Sequence, residues 1–551
     1  MKGAADRAEL RSKLETLFGS IAPTVQLYRT GIEPPPPADV LAPSDTAGLN
    51  LMTWQHRGVG VSRDNVPRKY RRSVADSLRT YRSIRLNRPP GRDPLFRTRP
   101  APGETVTKPL GRGLSVQLPL ALYSRDGQTL RPDDAPSPTA LRDTLSHVQG
   151  SLFDTNAAQR FADVTIGWNV FQHFYPYFPV FEVDWDGVLT STFRRALDDD
   201  TRSAFLRTLR RMVAQLQDGH GRVQAPGPPP AGLPVKFDRV EGNVVVVDTA
   251  AYVDRALCAE IGDVVTSIDG RSPEQELRDA KQYISGSPQW KEVRALRQFG
   301  RGEPGSTVSL TVQRGKKEKT CQLRRASGSE IGRRYRKLRK ENRPTPIDTL
   351  RGGARYVDLT RARWPEIHDR IGDLFSAERI VFDLRGHPGL SNRNYKVLQH
   401  LAADSLLQMR IATPQFIYPD QDPRAGFRTD RGILPPSPPQ IAGDVAFLTD
   451  ARAISASEGM LAVVKHHDLG IVVGQATAGA NGGINPFKLP GGYTIHWTGQ
   501  RVRKHDGSQH HLVGIRPDVE AERTIEGVRA GRDEVLRTAL DVIRDSLSTQ
   551  Q

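Results

Sequence analysis

The sequence predicts a multidomain protein of mixed α and β structure. Its 551 residues suffice for about three or four domains, since a domain averages roughly 150 residues. After residue 354, buried-strand patterns alternate with helical patterns, which is typical of a domain with a largely parallel sheet. The preceding part of the chain contains one helical region and two regions of short strands. We therefore expect a multidomain α+β fold.

Changes of composition divide the chain into five predicted parts. The first combines a helical pattern from Ala5 to Phe18 with the prolines at 34–37, which suit a linker because proline lacks an amide hydrogen. The predicted boundaries are 1–48 for this N-terminal helix and linker, 49–150 for a β-rich accessory domain, 151–225 for a helical domain, 226–330 for a domain of short strands, and 331–551 for the α/β domain.

Hydrophobic periodicity supports these assignments. In the β-rich part, alternating residues predict a strand from Leu114 to Tyr123, before a turn at Asp126. In the helical part, aromatic residues at 168–178 and apolar residues at 205–216 repeat with the helical period. Further strands are predicted at Asn243 to Asp248, Arg355 to Leu359, Arg379 to Leu384, Asp444 to Thr449 and Leu469 to Gly474.

The chain is strongly basic, with 79 Lys and Arg against 62 Asp and Glu and a net charge of +17. Basic residues concentrate at Arg68 to Arg88 and at Arg333 to Arg343, and such stretches either contact nucleic acid or form solvated surfaces. Because basic residues are spread along the whole chain, we attribute them to overall composition and expect no nucleic-acid partner.

Cysteine content and hydropathy exclude further classes. The two cysteines, Cys258 and Cys321, exclude a disulfide framework and a C-x-x-C metal pair but permit one bridge. No apolar run reaches the roughly 18 residues that a membrane-spanning helix needs, and the first residues lack the apolar core of a signal peptide. We therefore expect no membrane span.

A first candidate catalytic segment follows a predicted strand of the α/β domain. The strand at 445–449 runs into AISASEGMLAVV (453–464), so Ser455 lies at a strand-to-helix turn. The first amides of a helix stabilise a developing anion, which suits a nucleophile at this position. The same residues also fit a capping box, in which Ser455 and Glu458 only cap the helix. Both interpretations stay open on this segment alone.

Two other segments suit a catalytic site. IVFDLRGHPG (380–389) is a buried strand that ends in a glycine-containing turn, where Gly389 can expose its backbone N–H. LQDGHGRV (216–223) places His220 after an amphipathic helix, where the helix dipole favours an imidazolium ion. Taken singly, His220 is either a structural histidine or a base.

Together these segments resemble peptidase family S41, which includes the tail-specific proteases and the tricorn core protease. The shared pattern begins with a helical unit ending in L-x-D-x-H and with GDVVTSIDG (262–270), which resembles PDZ domains. D-L-R-x-x-P-G, S-A-S-E and V-G-x-x-T-x-G then follow in the order of the family. The resemblance covers about residues 155–545. It implies a crotonase-like (ββα) catalytic domain, a PDZ-like domain at 226–330 and serine peptidase activity.

The resemblance also implies roles for individual residues. Ser455 would be the nucleophile, and the backbone N–H groups of Ala456 and Gly389 would form the oxyanion hole. In tail-specific proteases a lysine base follows V-G-x-x-T-x-G, but this position is Ala480 here. Lys465 lies too far along the predicted helix to replace it, at roughly 15 Å. Nothing in the sequence favours Lys488 as a substitute.

His220 is therefore the predicted general base, as in the tricorn-like branch of the family. In that branch a serine precedes the histidine and helps to connect it to a glutamate, whereas Gly219 precedes it here. Asp218 and Glu458 are the nearest candidates in sequence for an acid that orients His220.

Other clusters are not expected to bind a metal or a cofactor. His466 and His467 are adjacent, and tandem histidines are not expected to place both rings on one face of a helix. The histidines at 505–511 include no H-E-x-x-H motif, and the glycines at 479–492 lack the spacing of a phosphate-binding loop. We expect neither a metal nor a cofactor.

The sequence thus predicts a serine endopeptidase of the S41 type that hydrolyses polypeptides through an acyl-enzyme on Ser455, with His220 as base. The alternative is an inactive protein of the same fold that binds peptides or hydrophobic ligands, and the missing lysine keeps this alternative open. Relatives are frequently exported, so we expect a periplasmic or extracellular location.

Overall fold

The computed structural model describes most of the chain, and its residues form two compact units. The described residues are 5–36, 38–54, 81–85, 100–126, 128–135, 139, 143, 157–249, 258–328, 330, 343–389, 393–420 and 426–549. The basic segments predicted at Arg68 to Arg88 and Arg333 to Arg343 lie largely outside this range. The first unit comprises Met1–Pro176, Thr413–Arg428 and Asn485–Gly491, and the second comprises Tyr177–Ala412, Thr429–Ile484 and Gly492–Gln551.

In its described residues, the first unit contains two small sheets and the helices α1 (Arg7–Ile21) and α2 (Ala157–Phe174). Its strands are β1 (Gln26–Arg29), β2 (Asn50–Trp54), β3 (Tyr81–Arg85), β4 (Thr105–Gly111), β5 (Leu114–Pro119), β6 (Ala121–Arg125) and β7 (Gln128–Thr129). They form the sheets β1-β5-β4 and β3-β2-β6-β7. The single strand predicted from Leu114 to Tyr123 is therefore wrong, because the chain passes from one sheet to the other at Leu120.

The second unit begins with the helices α3 (Trp185–Asp198) and α4 (Arg202–Ala214). The predicted amphipathic helix is confirmed, since Phe205, Leu209 and Met212 are buried on one side of α4. A five-stranded antiparallel sheet of order β13-β12-β11-β10-β9 follows. Its strands and flanking helices are β9 (Val235–Val240), β10 (Asn243–Thr249), β11 (Val264–Ile268), α5 (Pro273–Lys281), α6 (Pro288–Gln298), β12 (Thr307–Arg314) and β13 (Lys317–Arg324).

One disulfide closes this part of the second unit. Cys258, just before β11, is bonded to the buried Cys321 of β13. The bridge that the cysteine count permits is therefore formed, and it joins two points 63 residues apart in the sequence. The bridge constrains the unfolded chain and so stabilises this sheet.

A six-stranded sheet forms the centre of the second unit, in the order β14-β15-β16-β19-β20-β24. All neighbouring strands are parallel except for β14 and β15. The strands are β14 (Ile347–Thr349), β15 (Arg355–Asp358), β16 (Arg379–Asp383), β19 (Asp444–Thr449), β20 (Ile471–Gly474) and β24 (Val519–Glu520). The predicted parallel sheet is confirmed, and β19 has the predicted bounds.

Helices cover both faces of this sheet. They are α7 (Trp364–His368), α8 (Ile371–Phe375), α9 (Ala456–His467), α10 (Ile525–Ala530) and α11 (Glu534–Thr549). Phe382 and Phe447 pack on the side of α9, whereas Tyr356 and Leu448 pack on the side of α11. Ligand sites of parallel sheets form at the carboxyl ends of the strands, which here lead into the segments after Asp383 and Thr449.

The remaining elements are short strands and 3₁₀ turns. The strands are β8 (Arg222–Gln224), β17 (Leu406–Pro414), β18 (Phe427–Leu434), β21 (Ile484–Lys488), β22 (Thr494–Thr498) and β23 (Arg501–Arg503), and the 3₁₀ turns are Asp39–Leu41, Phe178–Val180 and Asn394–His400. β8 pairs antiparallel with β22, with Val223 opposite Ile495. This pairing brings the segment that follows His220 against a strand more than 270 residues later in the chain.

Candidate active site

Ser455 lies in the turn between β19 and α9, as the sequence predicts. Its backbone has φ 58° and ψ −107°, a conformation that costs free energy for a residue other than glycine. Its N–H donates to the carbonyl oxygen of Ala480 at 2.9 Å and to Oε2 of Glu458 at 3.0 Å. Ser455 is half-buried and the next residue, Ala456, is exposed. Ser455 is therefore held in a strained turn that is accessible from outside.

The Glu458 carboxylate organises this turn from within. It is fully buried and also accepts hydrogen bonds from the Thr477 hydroxyl at 2.6 Å and from the N–H groups of Gly479 and Ala480 at 2.7 and 3.0 Å. Burial raises the pKa of Glu458, but His510 and these hydrogen bonds outweigh it and hold the pKa below the usual value. Glu458 makes no hydrogen bond to the ring of His220 among the described residues. Its contacts tie Ser455 to the loop at 477–480.

His220 belongs to a buried hydrogen-bonded chain with Asp218 and Thr498. Nδ1 of His220 lies 2.8 Å from Oγ1 of Thr498, and the same hydroxyl lies 2.6 Å from Oδ1 of Asp218. Asp218 also accepts from the backbone N–H groups of Thr498 and His220, at 2.6 and 3.0 Å. Of the two predicted acids, Asp218 is the one connected to His220, and Thr498 provides the connection.

The hydrogen bonds among Asp218, Thr498 and His220 determine which nitrogen of His220 carries the proton. A hydroxyl has one hydrogen, and Thr498 donates it to the Asp218 carboxylate, which can only accept. Thr498 must then accept from Nδ1–H of His220. Nε2 of His220 therefore keeps its lone pair, which is the protonation state that a general base needs.

Burial also keeps the ring of His220 neutral. It lowers the pKa of His220 below the usual value, and Asp218 and Glu458 oppose this effect only in part. Arg222 and His387 lower the pKa further. The expectation that a helix dipole favours the imidazolium ion was wrong, because α4 ends at Ala214 and His220 lies in a buried segment beyond it.

The His220 and Ser455 segments meet at Ala480. A Cβ atom at Gly219 would lie 2.4 Å from Cβ of Ala480, whose carbonyl oxygen accepts the Ser455 N–H. A serine at position 219 would collide with Ala480. The hydroxyl that contacts the ring of His220 is that of Thr498. No hydrogen bond joins Oγ of Ser455 to the ring of His220 among the described residues.

The segment after β16 approaches the same helix end. Oγ of Ser457 donates to the carbonyl oxygen of Gly386 at 2.8 Å, which ties the loop of Gly389 to the start of α9. The loop is anchored at its base by the buried pair of Arg385 and Asp383. Gly389 is exposed, and no atom lies within 4 Å of where its Cβ would be. Within the part of the chain that the structure describes, neither Gly389 nor Ala456 donates its N–H to another group.

No described contact joins Lys465 or Lys488, the two lysines considered as substitute bases, to Ser455. Lys465, near the end of α9, forms an ion pair with Asp518. Lys488 is an exposed residue at the end of β21. The position of the family's lysine is taken by the buried Ala480, which contributes its backbone N–H and carbonyl groups.

The rings of His466 and His467 lie close together, contrary to the expectation for tandem histidines. Their ring centroids lie 4.7 Å apart, and one nitrogen from each of His466, His467 and His505 falls within 4.8 Å of the others. Two of these rings are already engaged: Nε2 of His467 accepts from the N–H of Leu407, and Nε2 of His505 lies 2.8 Å from the carbonyl oxygen of Leu407. A neutral His467 then carries its proton on Nδ1, which leaves it no lone pair for a metal.

Sequence reasoning missed Thr498. It lies 278 residues after His220 and follows no motif, so nothing in its neighbourhood along the chain signals a catalytic role. Only the register of β22 against β8, with His496 opposite Arg222, brings it beside His220.

Comparison with known proteins gives a family and a fold. The sequence profile of peptidase family S41 matches residues 355–521. No curated protein matches the sequence. None of the described helices is both long and apolar enough to cross a bilayer.

Similar structures include mature CPAF in complex with lactacystin, with a TM-score of 0.57 and 14% identity, covering 71% of this chain and 98% of that chain. A mutant of CPAF gives a TM-score of 0.58 and 15% identity, covering 70% and 98%. The photosystem II D1 C-terminal processing protease gives a TM-score of 0.39 and 18% identity, covering 68% and 98%. The CPAF structures share the fold of this chain, and the family match supports a peptidase function. Residues 355–521 of this chain are thus similar to peptidase family S41.

Proposed function

We propose that this protein is a serine endopeptidase that cleaves polypeptides through an acyl-enzyme on Ser455. The catalytic domain would be crotonase-like and span 331–551. It would follow a PDZ-like domain at 226–330, a helical domain at 151–225, a β-rich accessory domain at 49–150 and the N-terminal segment 1–48. The parallel sheet with α9 supports the crotonase-like domain. The five-stranded antiparallel sheet with α5 and α6 supports the PDZ-like domain.

The observation that carries the proposal is the chain from Asp218 through Thr498 to His220. It leaves Nε2 of a neutral, buried imidazole as a proton acceptor. A purely structural histidine needs no such arrangement, since any acceptor for one N–H would satisfy it. The contacts of Ala480 with Gly219 and with the N–H of Ser455 support the pairing of this base with Ser455.

In the proposed reaction, Oγ of Ser455 attacks the carbonyl carbon of the scissile bond while Nε2 of His220 takes the hydroxyl proton. The imidazolium ion that forms is stabilised by Asp218 through Thr498. His220 then gives the proton to the leaving amine, and water releases the acyl group in the reverse sequence. The Ser455 and His220 side chains would close to hydrogen-bonding distance in the substrate complex, since catalytic hydrogen bonds often tighten only there.

The N–H groups of Ala456 and Gly389 would stabilise the negative oxygen of the tetrahedral intermediate. Both have no acceptor among the described residues, and Ala456 begins α9, whose amino end favours negative charge. In this proposal Glu458 orients the Ser455 turn rather than His220, because its carboxylate accepts one hydrogen bond from Ser455 and three from the loop at 477–480.

The disulfide between Cys258 and Cys321 supports the proposed periplasmic or extracellular location, because such bonds persist in oxidising compartments. If the PDZ-like domain captures the C-terminus of a substrate, as in tail-specific proteases, amidation of that terminus should slow cleavage. Equal rates for the free and the amidated peptide would reject capture of the terminus.

The test is labelling by a serine-directed fluorophosphonate, with mass spectrometry to locate the adduct. We expect an adduct on Ser455 in the unmodified protein and none in Ser455→Ala or His220→Ala. Labelling that persists in His220→Ala would reject His220 as the base. No adduct in the unmodified protein, with peptide binding retained, would favour the alternative of an inactive binding protein of the same fold.

A further inference from the structure

Several arginines near His220 form no ion pair with an acidic residue in the described part of the chain. Arg294 and Arg297 lie one turn apart on α6, and Arg301 follows shortly after the end of that helix. No ion pair joins any of the three to an acidic residue in the part of the chain that the structure describes. Arg297 and Arg301 are exposed and Arg294 is half-buried. Like charges at this spacing on a helix repel each other, so this row of arginines is not explained by helix stability.

Trp290 holds two of these side chains in place. The guanidinium carbons of Arg294 and Arg297 lie 5.8 and 5.6 Å from the centre of the Trp290 ring. Stacking on an aromatic face leaves the edge of a guanidinium group free to donate in a fixed geometry. The two side chains are thus partly ordered before any ligand binds.

Two further arginines extend the row toward α4 and β8. Arg210 and Arg222, together with Arg297 and Arg301, act on Arg294 as like charges, and burial with this repulsion lowers the pKa of Arg294 to about 10. The groups that act most strongly on Arg294 include no acid. The five arginines are hereafter called the arginine row.

The acidic groups that face the arginine row have other partners. Asp450 and Asp238 are the acids that act on Arg297, but Asp450 is paired with Arg452 and Asp238 with Arg523. Asp218 acts on Arg222 but accepts the hydrogen bonds of the Thr498 and His220 segment. The row therefore keeps a positive charge that the described part of the chain does not neutralise.

The row is joined to the candidate catalytic site at two points. Nε1 of Trp290 donates to the carbonyl oxygen of Gly219 at 2.8 Å, one residue before His220. Nη1 of Arg222 lies 3.4 Å from the carbonyl oxygen of His220 itself. A polypeptide bound at His220 would therefore have its flanking residues near these cations.

We propose that the arginine row binds acidic side chains of the polypeptide substrate and so selects substrates with aspartate or glutamate near the scissile bond. This inference rests on the proposed peptidase function, because the position of the row beside His220 is what assigns it to a substrate. Arginine forks donate pairs of hydrogen bonds to carboxylates. The contact would weaken with rising salt, as exposed charge pairs do.

The first experiment measures binding alone, in Ser455→Ala protein, by fluorescence anisotropy. The probes are a labelled peptide with four glutamates and the same peptide with four glutamines. We expect the glutamate peptide to bind at least tenfold more tightly, and the double variant R294E/R297E to abolish this ratio. R294Q/R297Q, which removes charge without reversing it, should reduce the ratio by an intermediate factor. The control is Arg278→Glu, an exposed arginine on α5 that should keep the full ratio.

Each outcome decides the inference. Equal affinity for the two peptides, or an unchanged ratio in R294E/R297E with an unchanged melting temperature, would overturn it. A single-stranded RNA oligonucleotide with the same number of charges serves as competitor. Displacement of the glutamate peptide by RNA at lower concentration than by unlabelled peptide would assign the row to nucleic acid instead and overturn the proposal.

The second experiment separates this inference from the proposed function. Once fluorophosphonate has shown that Ser455 is reactive, kcat/KM is measured with unlabelled enzyme for the glutamate and the glutamine peptide. The ratio of the two values should be at least tenfold lower in R294E/R297E than in the unmodified protein. Absence of labelling at Ser455 would remove the proposed function while the binding ratio in Ser455→Ala still tests the row. Labelling at Ser455 together with equal kcat/KM for the two peptides would support the peptidase function and contradict the preference for acidic substrates.

Discussion

Oγ1 of Thr498 lies 2.8 Å from Nδ1 of His220 and donates a hydrogen bond to Oδ1 of Asp218 at 2.6 Å. The hydroxyl that the tricorn-like pattern places next to the histidine in sequence is here supplied by a strand 278 residues away. The contact sets the tautomer of the candidate base, because only Nδ1–H can donate to an oxygen that has already donated.

The first prediction concerns Thr498. Thr498→Val keeps the shape of the side chain but removes the hydroxyl, so Nδ1 loses its acceptor and the tautomer is no longer set. We expect the rate of fluorophosphonate labelling at Ser455 to fall about 100-fold, the lower range for loss of a general base. Thr498→Ser should keep most of the rate. Equal rates in the valine and serine variants would reject the role of the hydroxyl.

The second prediction is a pH dependence. The base must be neutral to act, and burial lowers the pKa of His220 below the usual 6.5. The decline of the labelling rate at low pH should therefore have its midpoint below pH 6.5. Arg222 contributes to the lowering, so Arg222→Gln should raise the pKa and move the acid limb to higher pH. A midpoint at or above pH 6.5 in the unmodified protein would contradict the assignment.

The third prediction concerns Gly219. A side chain there would meet Cβ of Ala480 at 2.4 Å, and both segments are buried. We expect Gly219→Ala to lower the free energy of unfolding by about 1–3 kcal/mol, as overpacking does, and to reduce labelling of Ser455. The control Gly372→Ala introduces a Cβ with no atom within 4 Å, so it should not lower the free energy of unfolding and should leave labelling unchanged. Adding Ala480→Gly to Gly219→Ala should restore stability in part, and failure of this rescue would locate the damage elsewhere.

The fourth prediction concerns the backbone of Ser455. With φ at 58° and ψ at −107°, any residue with a Cβ is strained there, whereas glycine is not. Although both variants lose the nucleophile, Ser455→Gly should be more stable than Ser455→Ala by about 1 kcal/mol, which chemical denaturation can resolve. If the alanine variant is the more stable, the turn is not strained in solution.

Local patterns were sufficient for much of the fold. The bounds of β19, the amphipathic α4 and the strand-to-helix turn at Ser455 all follow from periodicity that neighbouring residues carry. The strand from Leu114 to Tyr123 was wrong because alternation is the same whether a strand continues or passes into a second sheet at Leu120.

The sequence by itself determined the peptidase-family segments, the position of Ser455 and the absence of a lysine at Ala480, because these depend on residues close together in the chain. Only the tertiary structure decided which acid is hydrogen-bonded to which segment of the site. Glu458 is committed to the Ser455 turn and Asp218 to His220, because the loop at 477–480 and the strand ending at Thr498 fold against them. The lowered pKa of His220 was also decided there, since it results from burial and from charged groups such as His387 and Glu458 that lie far away in the sequence.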